Sequence, residues 1–219
     1  IEAGKVEVDG SPAVKPGMLV SPSTRIAAEP AHPWVSRGGL KLDHALQVFG
    51  INPAGLACLD IGSSTGGFTD VLLARGARHV VAVDVGNGQL HAKLRADPRV
   101  ASLESTDARE LTAEMLGEPP SLLVCDASFI GLAKLLARPL ALAAKRADFV
   151  GLFKPQFEVG KGLVGRGGIV RDDGLRESTV EKVVSCAMHL GLQLAGRMES
   201  PIEGRKGNRE FLAWFQRKV

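Results

Sequence analysis

The residues with the most chemistry to offer stand where apolar runs end. In LLVCDASFIGL, from Leu122 to Leu132, four apolar residues lead into Asp126, after which small and apolar residues resume. An ionised aspartate is not left in such a place without a cation or an opening to a site. The next strand-like run, ADFVGLF (147–153), is followed by Lys154 and Pro155. Proline keeps the residue before it extended, so Lys154 leaves its strand at a sharp exit and not on a helix face. SRGGLKLDHAL sets Lys41 at the start of a helix after two glycines, and GRKGNREFLAWF sets Glu210 at the start of the last strand. Two lysines and two acids could converge on one crevice. A structural ion pair, or two solvated lysines, is the plain alternative from spacing alone.

A second group of residues could hold a nucleoside. In CLDIGSSTGGFTDVLLARGA, Gly62, Gly66 and Gly67 directly follow a strand ending near Asp60 and precede a helix. Glycines let a backbone approach a ligand, and a helix start offers free N–H groups. The dinucleotide fingerprint G-x-G-x-x-G is not met, because Ser64 stands where its second glycine belongs. The D-x-G-x-x-x-G-G pattern instead resembles the first motif of S-adenosylmethionine-dependent methyltransferases. Asp84 closes the second strand, where an acid can accept from ribose hydroxyls. Asp107 closes the third, in reach of an adenine edge. A lone strand-end aspartate is as readily a helix cap. Three in register beside a glycine loop favour one crevice at the carboxyl ends of the strands.

The elements that must position these residues alternate. Strands are expected at 56–61, 79–85, 99–106, 121–126 and 147–153, with helices at 67–75, 90–97, 132–146 and 173–190. A Gly-rich loop spans 160–168, and two consecutive strands close the chain. The near-continuous apolar strands point to an α/β fold: a doubly wound, mostly parallel sheet, Rossmann-like, with an antiparallel last strand. Residues 1–30 differ. KVEVDGSPAV alternates around Asp9-Gly10, a hairpin signal, and the segment reads as the tail of a small β-rich module with a proline-bearing linker. The chain begins at Ile1 inside an already patterned segment, so an upstream piece is expected.

Composition bounds the rest. The 219 residues are 45% hydrophobic and 23% charged, ordinary for a globular domain with a small appendage. No run reaches the roughly 18–20 apolar residues of a membrane helix, and no signal peptide is visible. Cys58, Cys125 and Cys186 form no CxxC, so reduced thiols in a cytoplasmic setting are expected. No His/Cys cluster has metal-ligand spacing. The net charge of +3 permits a nucleic-acid partner without requiring one.

Taken together, SRGGLKL, LDIGSSTGGFTDVLL, VDVG, CDASFI, KPQFEVGK, GGIVRD and SPIEGRKGNREFL resemble the hemolysin-A-like (TlyA) family of ribosomal RNA 2′-O-methyltransferases, related to the wider FtsJ-like group. The resemblance covers residues 34–219 nearly continuously. Residues 1–30 look like the end of the S4-type RNA-binding domain that precedes the methyltransferase domain, 31–219, in that family. The resemblance implies methyl transfer from S-adenosylmethionine to a cytidine 2′-hydroxyl of ribosomal RNA or ribosomal subunits. It implies a catalytic tetrad of Lys41, Asp126, Lys154 and Glu210. The cofactor would lie against Asp60, Gly62, Ser63, Gly66, Gly67, Phe68, Asp84, Asp107, Ala108 and Asp126. RNA would meet a basic rim, Arg37, Lys161, Arg166, Arg205 and Lys206. Asn87 stands where the family habit is an aromatic. A membrane-active, hemolysin-like role and a nicotinamide-dependent oxidoreductase are the alternatives. The absent membrane span counts against the first and the incomplete fingerprint against the second.

Overall fold

Every residue of the central strand, Ala57–Ile61 (β4), is buried, so the sheet it belongs to must be covered on both faces. The computed structural model describes residues 1, 4–127, 132–160, 163–204 and 207–217, apart from the side chains of 132–134 and of residue 166. The chain divides into two compact units, Ile1–Pro33 and Trp34–Val219.

In the first unit, β1 (Val6–Val8) pairs antiparallel with β2 (Ser11–Pro12) and with β3 (Ile26–Ala28). Asp9 and Gly10, at φ 49° and 79°, make the hairpin turn that their types predict.

In the second unit the sheet contains β4, β5 (His79–Val83), β6 (Val100–Leu103), β7 (Leu122–Cys125), β8 (Ala147–Phe153), β9 (Leu192–Glu199) and β10 (Phe211–Arg217). Their order is β6-β5-β4-β7-β8-β10-β9. The first five run parallel, and β10 is antiparallel to both β8 and β9. The order reverses at β4, which places the crevice between the carboxyl ends of β4 and β7. The helices are α1 (Gly38–Phe49), α2 (Gly67–Ala74), α3 (Ala92–Arg95), α4 (Ala113–Leu116), α5 (Leu132–Leu142), α6 (Pro155–Glu158) and α7 (Asp173–His189).

Period-2 alternation sorts the strand residues between two cores. Cys58, Val80, Val124, Val150 and Leu212 pack under Leu42 and Leu46 of α1 and Leu72 of α2. Leu59, Val81, Leu123, Phe149 and Phe215 pack against Leu136 of α5 and Val183 of α7. Burial pushes the Cys58 and Cys125 thiols up to about 12, which keeps both protonated and unreactive at neutral pH.

Three expected elements are shorter than the pattern implies. The strand expected over 99–106 stops at Leu103, because Ser105 adopts φ 53° and turns the chain. The helix expected over 90–97 is one turn, capped by His91. The helix expected through 146 ends at Leu142, three residues past Pro139, which withholds a backbone donor from its last turn.

Candidate active site

Asp126 follows β7 directly, and Lys154 follows β8, the parallel neighbour of β7. Adjacent strand ends bring them together: Lys154 Nζ lies 2.5 Å from Asp126 Oδ1 and donates to the Asp126 carbonyl at 3.3 Å. The cation that Asp126 calls for is therefore Lys154. Lys154 is held extended ahead of Pro155, the first residue of α6.

The second pair spans most of the chain. Lys41 sits in the first turn of α1, and Glu210 immediately precedes β10. Lys41 Nζ meets Glu210 Oε2 at 2.5 Å, and the two side chains are only 10% and 3% exposed. A buried pair of this kind resists loss of either partner, because the survivor stays charged in a dry place. Gly204 backs Glu210 so closely that a Cβ there would lie 2.0 Å from Glu210 Oε1. All four side chains line one cavity of about 570 Å³.

The glycine loop forms another wall of that cavity. Gly62 turns at φ 78°, and a Cβ on it would press on the Ala127 backbone at 3.1 Å. Gly66 turns at φ 93° at the start of α2. Ser64 adopts φ 48°, an uncommon conformation for serine, and thereby donates its N–H to Asp84 Oδ2 at 2.8 Å. Gly86 donates to the other Asp84 oxygen at 2.7 Å. Asp84 thus holds two loops in register and keeps lone pairs for a hydroxyl. Asp107 lies beyond its strand, where it caps a 3-10 turn, Ala108–Glu110. Its carboxylate is forked by Arg109, which holds it below the usual carboxylate range.

Asp84, Asp107 and Ala108 line a second cavity of about 360 Å³ that shares Gly62, Ser64 and Asp126 with the first. Two chambers meeting at the glycine loop fit a long, bent ligand with a nucleoside at one end and a reacting group at the other. Ser63, Gly67 and Phe68 also line the larger chamber. Gly66 and Asp60 line neither. Gly66 packs against Leu94 and Leu90, and Asp60 is fully buried beneath the loop. Asp60 Oδ2 accepts from the N–H and hydroxyl of Thr69, at 2.9 and 2.7 Å, while Oδ1 has no partner among the described residues. Burial raises its pKa to about 7, against the opposing Thr69 hydrogen bonds and with help from Asp126.

Of the expected basic rim, Arg37 lines the larger cavity. Lys161, Arg205 and Lys206 lie outside the described residues, as does the side chain of Arg166. Asn87 lines neither cavity. Among the described residues no group of three His, Cys, Asp or Glu side chains could hold a metal ion.

Three features escape sequence reasoning. Asp70 of α2 accepts from the Val35 N–H at 2.9 Å and pairs with Lys93, tying the start of this unit to the glycine loop's helix. Buried Asn208 receives Val170 N–H and donates to the Gly168 carbonyl, clasping the Gly-rich loop next to Glu210. Gln156 and Phe157 line the larger cavity together with residues of the glycine loop. Only the N-terminal spacing of Asp70 in its helix, as an acid in the first turn, could have flagged any of them.

The FtsJ-like methyltransferase family model matches residues 34–217. The 16S/23S rRNA (cytidine-2′-O)-methyltransferase TlyA of Mycobacterium tuberculosis is 52% identical over 99% of this chain and 81% of its own length. Hemolysin A of Brachyspira hyodysenteriae is 43% identical over 98% of this chain and 90% of its own. A solved structure from Streptococcus thermophilus, titled a hemolysin, superposes with a TM-score of 0.86 at 40% identity, covering 99% of this chain and 80% of that one.

Proposed function

This chain belongs to the FtsJ-like methyltransferase family, in its TlyA (hemolysin A) branch, and from that premise we propose that it methylates the 2′-hydroxyl of a cytidine in ribosomal RNA. The observation that carries the reading is the pair of ion contacts, Lys154–Asp126 and Lys41–Glu210, on the wall of one cavity that opens onto the glycine loop. S-adenosylmethionine is the donor, and it supplies a methyl group already activated on a sulfonium. The chain therefore has to position an acceptor and manage one proton. Lys154, anchored by Asp126, hydrogen-bonds the ribose 2′-oxygen and steadies the negative charge that grows there as the hydroxyl proton passes to water. Lys41 and Glu210 hold the far side of the ribose in a fixed, dry pair. Asp84 and Asp107 receive the donor's nucleoside end, while Gly62 and Gly67, on the wall of the larger cavity, flank its chain. Arg37 and the basic residues of the loops, Lys161, Arg166, Arg205 and Lys206, meet phosphates. Residues 1–30 act as the tail of an S4-type RNA-binding module, and 31–219 as the methyltransferase domain.

Radiolabelled S-adenosylmethionine incubated with purified bacterial ribosomal subunits tests this directly. Label retained in alkali-resistant dinucleotides is the expected result. Label in base positions or in protein, or none with the donor bound, would overturn it. The lytic alternative rests on the names of relatives alone, and among the described residues no helix is long and apolar enough to cross a membrane.

A further inference from the structure

The larger cavity has a wall that the four charged residues do not explain. Immediately after Lys154 comes the single turn α6, which sets Gln156 and Phe157 against the same space. Gln156 is only partly exposed, yet its Oε1 is enclosed and has no hydrogen-bond partner among the described residues. A buried amide atom without a partner calls for an explanation. Phe157 is 39% exposed, a large apolar surface for a residue beside a charged site.

These observations locate a bound partner that is both polar at an edge and flat at a face. The position supplies its identity, given the proposed reaction, on which this inference rests. The ribose 2′-oxygen lies at Lys154, and the base hangs from the adjacent carbon, C1′. The wall that continues from Lys154 is where the base must lie. We propose that Gln156 and Phe157 form a pyrimidine-nucleobase subsite, in which the Gln156 amide bonds the base edge and the Phe157 ring packs on its face. For cytosine the match is two-fold: the amide oxygen accepts from the N4 amine and the amide nitrogen donates to N3. Turned over, the same amide meets uracil, so the subsite reads a pyrimidine edge. A purine would carry its edge further from C1′ and collide with the amide. Aromatic faces serve flipped or single-stranded bases in this way because every base offers a π-face.

The test uses the whole chain with ribosomal subunits whose acceptor position is cytidine or, by rRNA mutation, adenosine. Gln156→Leu keeps bulk and removes both hydrogen bonds. Phe157→Leu keeps apolarity and removes the ring, and Phe157→Tyr restores it. The expected result is unchanged S-adenosylmethionine affinity by calorimetry, with kcat/KM on cytidine at least tenfold lower in both leucine variants, mostly through KM. The tyrosine variant should recover to within about threefold. The cytidine-over-adenosine ratio should fall in Gln156→Leu. Wild-type rates and ratio in Gln156→Leu would overturn the subsite while leaving the reaction intact. A loss of donor affinity in the leucine variants would overturn it too, by showing a structural role. Failure of the underlying reading gives a different signature, because the wild-type chain itself would then place no label on ribose.

Discussion

Lys154 and Asp60 show how differently two ionisable groups on either side of the cavity wall behave. Lys154 is at the strand exit with its ammonium on Asp126 and its contacts inside the cavity. Lys154→Ala removes the group to which the proposed reaction assigns the acceptor oxygen and leaves the glycine loop untouched. Methyl transfer should drop by roughly 10²–10⁴, the range for a positioned proton-handling group, while donor affinity stays within a few-fold. A variant that kept full activity in the label assay would remove Lys154 from the mechanism. Asp60 acts on stability instead. Its pKa is near 7 when folded against a reference of 3.8, because burial disfavours the charge. The folded state thus holds a proton that the unfolded chain releases. That contribution is complete below the unfolded value and is lost as pH climbs through about 7. Asp60→Asn keeps the acceptor for Thr69 and cannot ionise. The stability gap between variant and wild type should widen in the variant's favour from pH 5 to pH 8.5, by at most about 3 kcal/mol. Denaturant unfolding at both pH values measures it; a gap independent of pH would show that Asp60 is already ionised in the fold.

Glycine loop and strand exits carry the design at the level of elements, and here the sequence was unevenly legible. Asp126 and Lys154 could be paired from the chain alone, since each closes an apolar run and parallel neighbours put their exits side by side. The Lys41–Glu210 contact, 169 positions apart, was visible only as two charges at element starts, because it depends on β10 inserting between β8 and β9. Asp107 was read as a strand end and is a cap, since Ser105 at φ 53° turns the backbone two residues earlier. The amide of Gln156 could not be seen at all, as its signal is a missing partner. Gly66 makes the sharpest prediction for an element. It has φ 93°, and a Cβ would lie 2.3 Å from Leu94 Cδ1 and 2.8 Å from Leu90 Cδ1. Both leucines are buried, so neither swings away freely. Gly66→Ala should cost on the order of 3 kcal/mol in stability through strain and overpacking, and donor binding should weaken with it as the loop shifts. Unfolding midpoints and calorimetry within error of wild type would mean that the loop relaxes without cost.

Across the whole molecule, the proposed reaction divides the labour of binding between the two units. Trp34–Val219 contains both hydrophobic cores, both cavities and all four charged residues of the site. It contains every residue that the proposed reaction assigns to the donor. Among the described residues of the small unit there is no comparable core; Leu19 is 98% and Val14 86% exposed. Its value must lie in contacts with something large. Among its described basic residues Lys5 is already paired with Glu29, which leaves Lys15 and Arg25 for phosphates. Chain 34–219 should therefore bind S-adenosylmethionine within about twofold of the longer chain, while its methylation of ribosomal subunits falls through a higher KM. The salt dependence of subunit binding separates an electrostatic role from a shape-based one. If Lys15 and Arg25 act through phosphate charge, the slope of log affinity against log salt should shrink by at most about two on truncation. An unchanged slope with weaker binding would assign the small unit to shape recognition, and equal loss of donor binding and methylation would show that it braces the methyltransferase unit instead.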